Sequence, residues 1–193
     1  AVANVCDGGT VSFDAALDNQ TITLTSGQIE ITKTVTINGP GATKLAVSGG
    51  NASRVFDIGA TGVVTLTAIT VRDGSAADVG GGIRTSGRLT LSAVAVVSNT
   101  AAIGGGIGSS NTADVVNAST IASNTAATAG GGIGAGGGVV IVTGSTLTAN
   151  SSAGLSAAGG GAIFGEGSMV TVIDSTLSFN RASGSYGGGA ILN

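Results

Sequence analysis

A short glycine block closing on isoleucine recurs along the chain, and its spacing limits the fold more than any other feature. It reads Gly80-Gly81-Gly82-Ile83, then Gly104 to Ile107, Gly130 to Ile133, Gly159 to Ile163 and Gly187 to Ile191, with the isoleucines 24, 26, 30 and 28 residues apart. Repeats of roughly 20–50 residues mark solenoids, propellers and arrays, and a propeller blade takes roughly 40–45, which this period excludes. Two aliphatic columns run with the block. Leu66, Leu91, Val116, Val142 and Val172 step by 25, 25, 26 and 30, and Val71, Val96, Ile121, Leu147 and Leu177 step by the same four numbers. Columns that lengthen together share one period, so the insertions collect in one place. That place is the segment after Asn99, Asn124, Asn150 and Asn180, each of which closes an aliphatic-x-x-Asn block.

The local pattern is strand. Thr21 to Thr25 and Ile31 to Ile37 alternate with period two and are rich in β-branched residues. Short strands in a period of about 25 residues, with no crossover helices, predict a parallel β-helix whose coils stack at about 4.8 Å. Identical columns then become ladders, with Val71, Val96, Ile121, Leu147 and Leu177 in the core and Asn99, Asn124, Asn150 and Asn180 hydrogen-bonding along a corner. Residues 1–20 lack the repeat. Ser12 as N-cap, with Phe13, Ala16 and Leu17 on one face, predicts a short helix capping the first coil. Residues 21–74 form irregular first coils and 75–193 the regular ones, giving a single all-β domain of about seven coils.

Composition narrows the chemistry. Glycine makes up 36 of 193 residues, yet 42% are hydrophobic and only 9% charged, which is the composition of a folding chain and not of a disordered one. No His and a single cysteine, Cys6, leave no zinc site and no imidazole-based catalysis, and no cofactor motif survives inspection. Gly132 to Gly137 satisfies G-x-G-x-x-G but precedes a strand, Val139 to Val142, and so is a chance match. With net charge −3 and five scattered arginines, no basic stripe offers itself to nucleic acid. No apolar run reaches the roughly 18 residues of a membrane span. Cys6 reads as a small buried hydrophobe, with an intermolecular bridge as the sharper alternative.

The acidic residues are dispersed. Asp73 and Asp78, with Arg72 and Arg84 nearby, are the nearest approach to a catalytic or Ca²⁺ cluster, against a plain solvated turn. Asp57 should point outward by alternation. Asp114 falls where other coils have Leu89, Val140 and Val170, so either the register slips or the residue marks a corner, and the corner is the favoured reading. Asn19, Asn51, Asn117 and Asn150 head glycosylation sequons, although Asn150 belongs to the ladder. The threonines at 21, 23 and 25 and at 32, 34 and 36 hint at a flat ice-binding array, which Thr90/Ser92, Asn117 and Thr143 fail to sustain. Tyr186 is the one Tyr in a variable loop.

These blocks carry a family resemblance. Gly160-Gly161-Ala162-Ile163 and Gly188-Gly189-Ala190-Ile191, paired with the aliphatic-x-x-Asn block, resemble the repeats of microbial surface proteins of the polymorphic-outer-membrane-protein-like group. Thr34 to Ala42 and Asn51 to Phe56 are similar to the first coils of such proteins, and Gly9 to Leu17 to their cap. The resemblance implies a right-handed parallel β-helix of microbial surfaces, and a chain that starts at Ala1 without an initiator Met is expected to be a cell-surface or extracellular protein after signal-peptide removal, or a cut fragment. The expected function is non-enzymatic and structural: a fibre- or surface-layer-forming subunit that joins copies of itself head to tail. Its assembly residues are expected to be Ala1, Val2, Ala3, Asn4 and Val5 as an extended donor strand, meeting Ile191, Leu192 and Asn193 of the last coil. The alternatives are an adhesin or glycan-binding module cut from a larger surface protein, with glycans or other surface proteins as partners, and a polysaccharide lyase or hydrolase.

Overall fold

The computed structural model describes residues 2–154, 159–183 and 187–193 and is a parallel β-solenoid of about seven turns. Its strands form three sheets of 12, 7 and 4 strands, and every pairing is parallel. The seven-strand sheet stacks Gln20–Thr23, Leu45–Ser48, Thr70–Arg72, Ala95–Val97, Thr120–Ala122, Thr146–Thr148 and Thr176–Ser178. The largest sheet is two stacks side by side. One runs from Gly9–Ser12 through Thr34–Asn38, Val63–Thr67 and Arg88–Ser92 to Met169–Ile173; the other runs from Ile29–Ile31 through Phe56–Ile58 and Ile83–Thr85 to Ile163–Glu166 and Ile191–Leu192. They are joined because Ile107–Asn117 and Ile133–Thr143 pass unbroken through the corner between them.

Alternation sets which side chains enter the core. In Thr34–Asn38, Val35 and Ile37 are buried while Thr34 and Asn38 face water. Val71, Val96, Ile121 and Leu147 are neighbours in register and fully buried, with Leu177 below them half-buried. The column continues upward through Val47 to Ile22, so the coils before residue 75 keep its phase although they lack the glycine block. Leu66, Leu91, Val116, Val142 and Val172 likewise pair in sequence. Each such aliphatic contributes about 1.5–3 kcal/mol when fully buried, and stacking like on like leaves few voids.

The corners are made by residues in the left-handed region. Ala68, Ala93, Ala118, Gly144 and Asp174 turn the chain into the seven-strand sheet, and Asp73, Ser98, Ser123, Ala149 and Phe179 turn it out again. These positions are one period apart, so a conformation that L-residues adopt at some cost is imposed by the stack and not by local sequence.

The first coil corrects the sequence reading in one respect. The capping helix is replaced by a strand, Gly9–Ser12, and a three-residue 3-10 turn, Ala15–Leu17. Asp14, not Ser12, caps that turn, its carboxylate accepting from the Ala16 N–H at 2.8 Å. Ser12 pairs with Asn38 and Val11 with Ile37, which puts Val11 into the core column. Seven residues cannot nucleate a helix cheaply, and strand pairing with a preformed coil satisfies the same backbone groups.

Candidate assembly interface

Three sets of polar groups sit on this scaffold, together with its two ends. The asparagines form a continuous ladder. Asn99 Nδ2 donates to Asn124 Oδ1 at 2.9 Å, Asn124 Nδ2 to Asn150 Oδ1 at 3.0 Å and Asn150 Nδ2 to Asn180 Oδ1 at 3.0 Å. Each Oδ1 also accepts the backbone N–H of the asparagine above it, and each Nδ2 reaches back to a carbonyl, of Val71, Val96, Ile121 and Leu147 in turn. Asn99, Asn124 and Asn150 are fully buried, which rules the Asn150 side chain out as an accessible glycan acceptor in the folded coil.

A second ladder escaped the sequence reading. Ser119 Oγ accepts from Val94 N–H at 3.1 Å, Ser145 Oγ from Ser119 N–H at 3.0 Å and Ser175 Oγ from Ser145 N–H at 3.1 Å. The signal was the step from Ser119 to Ser145 to Ser175, which repeats the 26 and 30 of the aliphatic columns.

The charged residues regroup. Asp73 and Asp78 do not share a site: Asp73 sits at a corner, accepting from Ser48 Oγ at 3.2 Å and 3.4 Å from Arg72 Nε. Asp78 instead joins Arg84, Asp57 and Arg54. Arg84 grips Asp57 with Nε at 2.8 Å and Nη2 at 2.6 Å, and reaches Asp78 with Nη1 at 3.1 Å. Arg54, its side chain only 6% exposed, bonds Asp78, Gln28 and the carbonyls of Val79 and Gly80. Asp57 does point away from the core, as alternation requires, but into these guanidiniums and not into water. Its carboxylate also takes Gln28 Nε2 at 2.9 Å. Burial alone would push the Asp78 carboxyl up, but the Arg54 charge, backbone N–H bonds and Arg84 outweigh it and hold it below the ordinary value; the bond to Asp57 in turn raises Arg84.

A carboxyl held low in the folded state adds stability that is complete above its unfolded value of 3.8 and is lost as the pH falls through the lower folded value. Asp78→Asn is therefore expected to flatten the acid limb of the stability curve below about pH 4 and leave its shape at neutral pH unchanged. Urea midpoints between pH 2 and 7 measure this, and parallel acid limbs in the two chains would contradict it.

Asp114 is not a corner residue. It lies within Ile107–Asn117, in register between Leu89 and Val140, buried, its carboxylate accepting from Leu89 N–H at 3.2 Å and from Ser109 Oγ. The corner is the one-residue lengthening between Ser109 and Asp114, which this carboxylate spans. The threonines of the expected array also separate, because Thr21 and Thr23 lie on the seven-strand sheet and Thr34, Thr36, Thr90 and Ser92 on the largest.

At the upper end, Val2–Asn4 is a 3-10 turn and not the extended strand expected there. Lys33 Nζ donates to the carbonyls of Ala3 at 2.9 Å and Val5 at 2.5 Å, and Val2 and Val5 pack on the first coils. With Lys33 Nζ donating to the Ala3 and Val5 carbonyls, these backbone acceptors are satisfied without a neighbouring strand. Cys6 is exposed and free, so the buried reading fails. A groove lined by Val2, Val11, Phe13, Ile22, Ile29 and Val47 opens beneath this segment. At the lower end Ile191 and Leu192 pair with Ile163 and Phe164, while Asn193 follows them. Met169, Ile173 and Ile191 are exposed there at 61%, 46% and 37%. Ala1 and Tyr186 lie outside the described residues. Among the described residues no group of His, Cys, Asp or Glu is arranged to hold a metal ion, and no helix is long and apolar enough to cross a membrane.

Comparison with protein-family models, with curated proteins and with solved structures finds no match to this chain.

Proposed function

We propose that the chain is a non-enzymatic structural subunit, a right-handed solenoid of the cell surface or extracellular space that joins copies of itself head to tail. The right hand follows from the rule for parallel crossovers. The setting rests on the resemblance of the Gly-Gly-x-Ile and Asn blocks to those of microbial surface repeats. One observation carries the assembly reading: the two ends present the same columns. Val172 and Leu177 face inward on the lowest coil where Val11 and Ile22 face inward on the first, and no described strand pairs with the outer edges of Met169–Ile173 or Thr176–Ser178. Open edges with matching patterns are templates for a second chain.

The charged cluster favours a non-enzymatic reading over a lyase or hydrolase, since Asp57 and Asp78 are each committed to guanidinium partners. Electron microscopy of the purified 193-residue chain tests the proposal. Rods lengthening in steps of about 34 Å, seven coils at about 4.8 Å, are expected as concentration rises. Isolated monomers throughout a titration into the millimolar range would overturn it.

A further inference from the structure

Among the described residues, the stack that begins at Ile29–Ile31 and ends at Ile191–Leu192 is offset by one rung from its neighbour in the largest sheet, which begins at Gly9–Ser12 and ends at Met169–Ile173. Within a coil its strand precedes the neighbouring strand of the largest sheet: Ile83 precedes Leu89, and Ile163 precedes Val170. At the lower end Ile191–Leu192 is the last described rung of its stack, and no described strand pairs with the outer edge of Met169–Ile173. At the upper end the first rung of that neighbour, Gly9–Ser12, is present, but no described strand precedes it in the Ile stack. A second copy placed below the first in phase continues the two larger sheets, while the four-strand sheet, which ends at Arg181–Ala182, has no described strand in the first coils to continue it. Gly9–Ser12 meets Met169–Ile173, Gln20–Thr23 meets Thr176–Ser178, and Ile29 follows Ile191 in a column that already runs Ile29, Phe56, Ile83, Ile107, Ile133, Ile163, Ile191.

The slot this docking needs is filled. Counting back from Gly9 by the interval that separates Ile29 from Val35 or Ile83 from Leu89 arrives at Ala3, and Val2–Asn4 does lie against Ile29–Ile31. The segment occupies the place of the missing rung as a 3-10 turn. It holds that place at the surface: none of Val2–Asn4 is buried, Val2 and Val5 pack on the core edge, and the polar tie within the segment is the pair of bonds from Lys33 Nζ to the Ala3 and Val5 carbonyls.

We infer that residues 2–5 are a displaceable plug in the slot that receives the Ile191–Leu192 strand of a second copy of this chain, and that Lys33 is its latch, an inference that rests on the end-to-end reading proposed above. Assembly exchanges an intramolecular 3-10 turn for an intermolecular parallel strand that continues the core column. The latch sets how often the slot is free, so it sets the rate at which copies add.

The test uses the full chain with Cys6→Ser, Glu30→Cys and Leu192→Cys. Glu30 pairs with Asp57 and Leu192 with Phe164 in the outward column next to the isoleucines. In-phase stacking therefore brings the thiol introduced at position 192 of one copy beside the thiol introduced at position 30 of the next, at strand spacing and within disulfide reach. Oxidation is expected to give a ladder of cross-linked oligomers. Adding Lys33→Met, which keeps the aliphatic stem and removes the donors, is expected to speed the ladder roughly tenfold, while Lys33→Arg stays near the parent rate. Thermal melts of the three chains report folding separately. Equal rates with Lys33 and with Lys33→Met overturn the latch. Filaments without a ladder overturn the in-phase slot while leaving end-to-end assembly standing; neither filaments nor ladder removes both.

Discussion

Gly105→Ala is expected to lower the stability of the solenoid by about 3 kcal/mol or more, read as a fall in the urea midpoint with the slope unchanged. A Cβ at Gly105 would lie 2.4 Å from the Thr125 carbonyl oxygen and 2.6 Å from that of Gly131, both backbone atoms of the next coil. The coils cannot part to admit it, because Gly104 N–H bonds Ala129 O at 3.0 Å before the contact and Gly106 N–H bonds Gly131 O at 3.2 Å after it. The same contact recurs at Gly81, where an added Cβ would lie 2.3 Å from Thr100 O, and at Gly161, where it would lie 2.1 Å from Gly189 O. The middle glycine of the block is thus required by the approach of one coil to the next. The first, as at Gly104 with φ 62°, is required by the turn. Gly136→Ala is the control: its added Cβ meets nothing within 4 Å, and a change within about 0.5 kcal/mol is expected. Equal losses at 105 and 136 would remove the steric account of the repeat.

The parts of this molecule that were legible in the sequence are those that translation by one period maps onto themselves. Val96 repeats Val71, Asn124 repeats Asn99, and the core columns and the amide ladder follow from the spacing because the physics of each rung is the same. The Val2–Asn4 turn and the first coil were not legible, since residues 1–8 repeat no block of a later coil. Phe13, Ala16 and Leu17 do carry a helical spacing, but Val11 has a core position to fill beside Ile37, and the longer-range pairing prevails. Cys6 went the same way, its exposure being a property of the turn that leads out of the plug.

The charged cluster lies between these cases. Ile29, Phe56 and Ile83 form one column, and the residue after each is Glu30, Asp57 and Arg84, so the pairing of Asp57 with Arg84 could have been read by extending the isoleucine column above residue 75. Arg54 could not, because it sits before a strand in an irregular coil and its partners Asp78 and the Val79 and Gly80 carbonyls lie in a loop. A ring of two guanidiniums and two carboxylates joins successive coils where the asparagine ladder has not yet begun.

Asn124→Ala is expected to cost about 4 kcal/mol, several times the loss from Asn180→Ala, although both remove the same amide. At Asn124 the substitution deletes four hydrogen bonds: Nδ2 to Val96 O at 2.9 Å and to Asn150 Oδ1 at 3.0 Å, and Oδ1 from Asn99 N–H at 3.0 Å and Asn99 Nδ2 at 2.9 Å. Water cannot replace them, because Asn99, Asn124 and Asn150 are all sealed from solvent, so the Asn99 amide and the Val96 carbonyl are left buried without these partners. At Asn180 the bonds from Asn150 N–H and Nδ2, at 3.0 Å each, and the one to Leu147 O are also lost, but the rung is half-buried and water reaches it, leaving a cost of about 1 kcal/mol. Asn124→Leu restores volume and not polarity, so its failure to rescue separates hydrogen bonding from packing. Denaturant midpoints of the three variants decide the matter. Equal losses at 124 and 180, or full rescue by leucine, would mean that the asparagines fill space and that the polar ladder does not hold the coils in register.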